Sequence, residues 1–338
     1  LSLQAKGPQS KIPDTLERTV LGRIELLPDK TKELLYAASV IGVDFEKNFL
    51  ETIIMERVQN MLFDLVKLNF IRINDSLSNI CSFINPATQN VVYNLIPLSS
   101  RKKLHIKIAS LLEKDEENNV ELIGVHYEKA EIFEKALYYI DKTGDNALKL
   151  NNYVKASSAY QKVIEMIDKI ENKSKDLKKA EVNVYNKLGN ILTVAGRYSE
   201  AIKIYEKAIE IAVAQNFKDY LAISSLKIGN VYFNLGENEI ALEKFLSSKK
   251  LFEDTGDKEN RSTVLLNIAL VYKSHGDINK ALELNNEAIK NYKKTNYEKG
   301  IADVYNNMGT LYQTLLQTDN SLGYFVKALN IYEKLNDS

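Results

Sequence analysis

The chain has 338 residues and a formal net charge of zero, because 45 Lys and Arg balance 45 Asp and Glu. This balance excludes a general electrostatic attraction to nucleic acid or to an anionic membrane surface. The single cysteine, Cys81, excludes an internal disulfide framework and a thiolate metal cluster, and it fits a cytoplasmic protein.

The first third of the chain has the pattern of a small helical module with a β-hairpin. Three stretches have helical periodicity: "PDTLERTVLGRIELL", "DKTKELLYAASVIG" and "ERVQNMLFDLVKLNF". The β-like runs "FIRIND" and "ICSFIN" follow and are joined by "SLSN", which predicts a hairpin with Cys81 buried in one strand. Three helices before a hairpin form a winged-helix arrangement, which we expect over residues 12–116 after a flexible segment of residues 1–11.

The second half of the chain repeats itself every 40 residues. Small residues recur in three columns, and glycine recurs in the turn between the first two columns, where the last copy has Leu316 instead. The first column is Gly189, Gly229, Ala269 and Gly309; the second is Ala201, Ala241, Ala281 and Ser321; the third is Ala208, Ser248, Ala288 and Ala328; the turn glycines are Gly196, Gly236 and Gly276.

Small residues let two antiparallel helices approach closely, and the turn glycine ends the first helix with a positive φ. The large side chains Tyr205, Phe245 and Phe325 are expected to fill the gaps between them. This pattern resembles the tetratricopeptide repeat in a 40-residue form, which implies a right-handed α-solenoid with a concave face. We therefore predict a mostly all-α chain, in which a winged-helix module with a short β-hairpin precedes four repeats over residues 179–338.

The segment between these two parts is expected to be helical as well. The charged run "KDEENN" predicts a solvated break before it. Gly144, Ala156 and Tyr160 are spaced like the small and large residues of one earlier repeat, offset by 45 residues rather than 40. Residues 117–178 are thus predicted to hold packing helices and a degenerate first repeat.

Residues 12 to about 170 resemble the C-terminal half of a STAND-type signalling ATPase, of the kind attached to bacterial class III adenylate or guanylate cyclases. The matching phrases, in order, are "IPDTLERTVLGRIELLP", "LLYAASVIGVDF", "QNVVYNL", "RKKLHIKIASLLE" and "KALYYIDKTGDNAL". The resemblance implies a nucleotide-binding module upstream and sensor repeats downstream. Where that family usually carries a histidine two residues beyond the strand phenylalanine, this chain has Asn85 after Phe83, which puts nucleotide contact by this module in doubt.

The sequence lacks the signatures of an enzyme. The phosphate-binding pattern Gly-x-x-x-x-Gly-Lys-Ser/Thr does not occur, so no ATPase chemistry and no cofactor are expected in this chain. The three histidines, His105, His126 and His275, are far apart in sequence and none has metal-ligand spacing to another.

Binding of nucleic acid by the winged helix is also disfavoured. The helix that would enter the groove of a nucleic acid has balanced charges, with Arg57 and Lys67 against Glu56 and Asp64. The basic cluster lies on a different helix, where solvation or contact with an upstream ATPase module explains it better. This cluster consists of Arg101, Lys102, Lys103 and Lys107.

The predicted functional surface is the face that the first helix of each repeat turns toward the concave groove. Asparagine recurs there although it is a poor helix former, and its carboxamide matches the donor and acceptor of an extended peptide backbone. The predicted groove residues are Asn186, Asn190, Asn230, Phe233, Asn234, Leu266, Leu270, Lys273, Asn306, Thr310 and Gln313. The alternative is that asparagine is only tolerated there or bridges helices, as we expect for Asn267 and Asn307.

Two functions remain open at this stage. The first is a non-catalytic sensor region of a larger ATPase-linked signalling protein, which binds a peptide or protein partner in the groove and transmits this through the winged helix. In that case the nucleotide site lies upstream and this chain is the downstream part. The second is a free-standing adaptor that scaffolds partner proteins.

Overall fold

The computed structural model describes residues 14–74 and 79–335. The chain forms two compact units, one up to Asp145 and one from Asn146 onward. The predicted flexible segment of residues 1–11 and most of the predicted hairpin loop lie outside the described residues. The predicted domain boundaries at residues 116 and 178 stay predictions.

Unit 1 is helical with one small sheet. Its helices are α1 (Asp14–Glu25), α2 (Asp29–Ile41), α3 (Lys47–Ile54), α4 (Gln59–Lys67), α5 (Pro86–Leu95), α6 (Leu98–Leu112), α7 (Glu116–Lys129) and α8 (Phe133–Lys149), the last of which continues past Asp145. Its strands are β1 (Asp44–Glu46), β2 (Ile71–Ile73) and β3 (Ile80–Phe83).

The sheet contains the predicted hairpin and one strand more. Strands β2 and β3 pair antiparallel, and β1 pairs with the other edge of β3, with Phe45 opposite Cys81. Strand β1 and helix α3 are not predicted from the sequence, because three residues are too few to show a strand alternation and eight are too few to establish a helical period. Cys81 is buried as predicted, and burial raises the pKa of its thiol.

An apolar cluster around α2 forms one part of the core of unit 1. Leu34 and Leu35 of that helix are fully buried and pack in one cluster with Leu62, Phe70 and Phe83. The predicted solvated break at "KDEENN" lies at the junction of two helices, where α6 ends at Leu112 and a 3₁₀ turn at Glu113–Asp115 leads into α7. The backbone at Asp115 (φ −130°, ψ 60°) leaves the helical region, and the rest of the run begins α7.

Unit 2 continues with α9 (Tyr153–Asp168), which is followed by consecutive helix pairs. The pairs are α10 (Lys175–Val194) with α11 (Tyr198–Ala214), α12 (Lys218–Asn234) with α13 (Asn238–Thr255), α14 (Lys258–Ser274) with α15 (Ile278–Thr295), and α16 (Glu298–Thr314) with α17 (Thr318–Lys334). Each helix from α10 contacts the next, and the first helices α10, α12, α14 and α16 also contact one another. This is the predicted solenoid.

The turn inside each repeat has the left-handed backbone that the sequence predicted. Gly196, Gly236 and Gly276 have φ values of 71°, 81° and 80°. Leu316 has the same conformation at φ 58°, although a leucine side chain disfavours it. The turns between repeats also contain left-handed residues, Asn216, Gly256 and Asn296.

The small-residue columns lie where the helices meet. The alanines of the second and third columns are buried, and so are the serines that replace them. Ser248 and Ser321 satisfy their hydroxyls by donating to the carbonyl oxygens of Ala222 (2.7 Å) and Gly309 (2.9 Å). In the described part of the chain, no helix combines the length and the apolar character that a bilayer crossing requires.

Candidate functional site: a polar cavity between three repeats

Two aromatic rings lie against glycine backbone in the first two repeats. A Cβ atom on Gly189 would lie 2.7 Å from the ring of Tyr205, and one on Gly229 would lie 2.6 Å from the ring of Phe245. The glycines therefore let each ring sit directly on the first helix of its repeat. Burial raises the pKa of Tyr205 to about 12, so this ring stays neutral.

These rings contribute to a cavity of about 320 Å³ between the first helices α10, α12 and α14. Its other walls are mainly polar and come from three consecutive repeats. We call it the repeat cavity, and its lining residues are Asn190, Thr193, Tyr205, Lys227, Asn230, Phe233, Asn234, Phe245, Asn267 and Leu270. Five of the predicted groove residues are thus brought together, namely Asn190, Asn230, Phe233, Asn234 and Leu270.

An asparagine pair spans the cavity wall between the second and third repeats. The side-chain Nδ2 of Asn267 donates to Oδ1 of Asn230 at 2.8 Å. This confirms the expectation that Asn267 bridges helices. The bond uses one group of each carboxamide, so Nδ2 of Asn230 and Oδ1 of Asn267 remain as a donor and an acceptor at the cavity.

The other predicted groove residues lie outside the cavity lining. Asn186 is buried, and its Oδ1 accepts a hydrogen bond from Ser224 at 3.0 Å. Leu266 is buried in an apolar cluster, and the hydroxyl of Thr310 donates to the carbonyl of Asn307. The remaining three are partly buried or exposed: Lys273, Asn306 and Gln313.

Thr193, Lys227 and Asn267 line the cavity but are not among the predicted groove residues. A signal for two of them was present in the 40-residue register. The position two residues before the small residue of each first helix is Lys187, Lys227, Asn267 and Asn307 in the four repeats, and it is polar throughout. The side chain of Asn307 has no hydrogen-bond partner within residues 14–74 and 79–335.

Unit 1 holds a buried histidine pair that sequence distance concealed. Nδ1 of His105 and Nδ1 of His126 lie 2.8 Å apart, and the hydroxyl of Tyr93 lies 2.9 Å from Nε2 of His105. Burial lowers the pKa of His105 to about 3, aided by the proximity of His126, and lowers that of His126 to about 4. Both imidazoles are therefore neutral near pH 7, and one donates to the other.

Other polar residues singled out in the sequence of unit 1 have structural partners. Asn85 is the N-cap residue of α5, and its Oδ1 accepts from the backbone amide of Thr88 at 2.7 Å. Arg101 donates to the carbonyl of Ile96 and lies 4.5 Å from the ring centre of Tyr93. Lys102 pairs with Glu131. Two members of the basic cluster are thus engaged inside unit 1.

Comparison with known proteins agrees with the repeat geometry. A tetratricopeptide-repeat family model matches residues 220–294, and another matches residues 182–212. The chain carries tetratricopeptide repeats. The match to residues 182–212 lies in α10 and α11, and the match to residues 220–294 lies in α12 to α15. These helices include the ones that line the repeat cavity.

A curated relative shares part of these repeats. It is the photosystem I assembly protein Ycf3 of Prochlorococcus marinus, 33% identical over 102 residues. The match covers 30% of this chain and 57% of the relative, so the chain spans a little over half the length of the curated relative it matches.

Two solved structures to which the chain is similar are a gene regulator and a STAND protein. The Rap conjugation gene regulator of plasmid pLS20, solved with the Phr* peptide, is 17% identical, with a TM-score of 0.55 over 91% of this chain and 76% of its own. A STAND protein with a tetratricopeptide-repeat sensor from Pyrococcus horikoshii is 14% identical, with a TM-score of 0.47 over 96% of this chain and 65% of its own. At these identities, the likeness to the Rap regulator is one of fold.

Proposed function

We propose that the repeat cavity binds an extended peptide segment of a partner protein. The observation that carries this proposal is the bridged pair Asn230 and Asn267, which leaves one donor and one acceptor on adjacent repeats. An extended peptide offers the complementary pair at each residue, and β-type recognition uses such main-chain bonds for affinity. Phe233 and Leu270 beside the pair offer apolar contact to a peptide side chain.

The fold comparison supports a peptide as the ligand. The Rap regulator, whose fold this chain shares, was solved with a peptide bound. A concave face built from successive first helices is a common binding surface of helical solenoids.

Selection from a peptide display library tests this proposal. We expect the wild-type protein to enrich related sequences, and Asn230→Ala to weaken their binding roughly tenfold, because one bridged carboxamide and its spare donor are lost. Asn183→Ala is the matched control, since Asn183 is exposed on α10 and does not line the cavity. Failure to enrich any peptide, or equal weakening by both variants, would contradict the proposal.

We further propose that the chain is the non-catalytic regulatory region of a larger ATPase-linked signalling protein, for example one whose effector is a nucleotide cyclase. The ordered phrases of residues 12 to about 170 support this, as does the order of elements in unit 1. The succession α2, β1, α3, α4, β2 and β3, with sheet order β1–β3–β2, is compatible with a winged helix. Peptide binding would then shift the parent between two states of its ATPase.

The size of the native polypeptide separates this proposal from the adaptor alternative. An antibody against the chain should detect a band well above the mass of 338 residues in source cells if the chain is a regulatory region. A band at the mass of this chain favours a free-standing adaptor. Both outcomes leave the peptide-binding proposal intact, because it concerns the repeat cavity alone.

A further inference from the structure

Another cavity lies in unit 1, outside the repeats. It has a volume of about 550 Å³ and is formed mainly by β1, α3, α6 and α7. Eight of its thirteen lining residues are apolar, among them Phe45, Phe49, Ile108 and Leu122. The side chain of Leu122 is 51% exposed, so part of this apolar wall faces solvent. A concave and mainly apolar cavity of this size is typical of small-molecule sites. We call it the unit 1 cavity.

The charged residues of the unit 1 cavity are all acidic. Asp44, Glu46 and Asp115 line it and are exposed, whereas no lysine or arginine lines it. Among the residues that the structure describes, no nitrogen of Lys, Arg or His lies within 4 Å of these rim carboxylates. Ser82 donates to Asp44 at 2.5 Å, and Asn118 donates to Asp115 at 2.9 Å. These neutral donors hold two of the carboxylates without cancelling their charge, and a cavity of one charge sign attracts the opposite ion.

A buried ring nitrogen is an independent indication of a ligand. His126 is 5% exposed and lines the same cavity. Its Nδ1 is engaged with Nδ1 of His105, so Nε2 is the ring nitrogen that remains for the cavity. The described residues supply no hydrogen-bond partner for this Nε2. A buried polar atom without a partner lowers stability, and a ligand group that bonds to it removes that cost.

The hydrogen-bonded chain from Tyr93 through His105 to His126 lets Nε2 of His126 accept a hydrogen bond. When the hydroxyl of Tyr93 accepts from Nε2 of His105, Nδ1 of His105 accepts from Nδ1 of His126, and Nε2 of His126 carries a lone pair. Burial lowers the pKa of His126 to about 4, so the imidazole is neutral near pH 7 and does not repel a cation.

We propose that the unit 1 cavity binds a small organic ammonium compound with an apolar body. The ammonium group pairs with the rim carboxylates, the body covers Phe45, Phe49 and Ile108, and an N–H or hydroxyl group of the body donates to Nε2 of His126. A bare metal ion fits less well, because the described residues hold no group of three His, Cys, Asp or Glu side chains arranged for a metal. The proposal concerns unit 1 alone and does not depend on peptide binding in the repeat cavity.

The first experiment is an NMR screen of the full chain with matched small molecules. Primary amines, carboxylic acids and amides on the same aryl and alkyl bodies are compared, such as tryptamine, indole-3-propionate and indole-3-propionamide. We expect the amines to shift the ring signals of His126, and the acids and amides to bind at least tenfold more weakly. The ring signals of the exposed His275 in unit 2 are the control and should stay in place. Equal binding of acids and amines, or no shift of the His126 signals by any amine, would overturn the proposal.

A change of charge at the rim tests the role of the carboxylates. Glu46→Gln keeps the size of the side chain and should weaken the binding of the amines roughly two- to fivefold, the loss expected for one exposed ion pair. Glu33→Gln is the matched control, since Glu33 is exposed on α2 and does not line the cavity. Equal effects of the two variants would show that the rim carboxylates do not select the ligand.

Filling the cavity tests its location. Leu122→Trp places a larger side chain at a half-exposed position of the wall and should weaken the amines at least tenfold, whereas Val125→Trp changes an exposed residue of the same helix outside the lining and should not. Leu122→Lys is a second variant that folding should tolerate, because its own ammonium group competes for the carboxylates. Thermal melts confirm that each variant is folded. Amine binding that survives both changes at Leu122 would place the ligand elsewhere and refute the proposal.

Discussion

A Cβ atom on Gly229 would lie 2.6 Å from Cε1 of Phe245, so the glycine and the ring occupy complementary space in the second repeat. Gly189 with Tyr205 and Gly309 with Phe325 repeat this relationship. In the third repeat, Ala269 occupies the position of the glycine, and the smaller, buried Asn285 occupies the position of the ring. The two positions thus change together within one chain, because a methyl group and a ring cannot share the same space.

Gly229→Ala should destabilise the protein by about 1–2 kcal/mol, because overpacking against Phe245 exceeds the gain in helix propensity. Chemical denaturation measures the change. Gly323→Ala is the control, since a Cβ there meets no atom within 4 Å, and it should be neutral or stabilising. The double variant Gly229→Ala with Phe245→Asn reproduces the pair of the third repeat and should remove the clash, although it loses the burial of the ring. A destabilising effect of Gly323→Ala equal to that of Gly229→Ala would contradict the steric explanation.

Leu316→Gly should stabilise the last repeat by up to about 1 kcal/mol, because leucine is strained in the left-handed conformation. The side chain of Leu316 is 89% exposed, so little packing is lost. The converse change, Gly236→Leu, should destabilise the second repeat, whose turn has a φ of 81°. Thermal melts of both variants test the pair, and a destabilised Leu316→Gly variant would show that the leucine makes a contact that outweighs its strain.

The pair His105 and His126 should make the stability of unit 1 depend on pH. Their folded pKa values of about 3 and about 4 lie below the ordinary 6.5, so the unfolded chain binds more protons below pH 6.5. The free energy of unfolding is therefore highest above pH 6.5. It decreases as the pH falls toward 4, by about 1.4 kcal/mol per pH unit for each histidine. Denaturation midpoints between pH 7 and 4.5 measure this slope.

The variant His126→Gln isolates this effect from acid effects elsewhere. It removes one of the two titrating groups and should roughly halve the histidine part of the slope. If His126→Gln keeps the full slope, the pair is not the source of the pH dependence.

Asn85→Ala should cost about 1 kcal/mol, because its carboxamide caps α5 through the amide of Thr88. Asn85→Asp keeps a capping acceptor and should retain most of the stability. Denaturant unfolding monitored by circular dichroism compares the two variants. Equal losses of stability in both variants would contradict a capping role and would favour a role of Asn85 in ligand contact.

The sequence by itself determined the repeats, because steric complementarity between helices demands small residues at fixed positions. The sequence alone is sufficient to identify the small-residue columns that begin with Gly189 and Ala201. The turn glycines likewise predict the left-handed turns. The rings of Tyr205 and Phe245 were also placed correctly as fillers. Short elements such as β1 and α3 escaped, since three to eight residues are too few to establish a period.

Only the tertiary structure decided which polar residues line the same cavity. It separated Asn186, which is buried against Ser224, from Asn190, which lines the cavity one helical turn later. It added Lys227 and Asn267, and it joined His105 to His126 across 21 residues of sequence. Helical period fixes the face on which a side chain lies, whereas burial and pairing depend on what the neighbouring helices bring to that face.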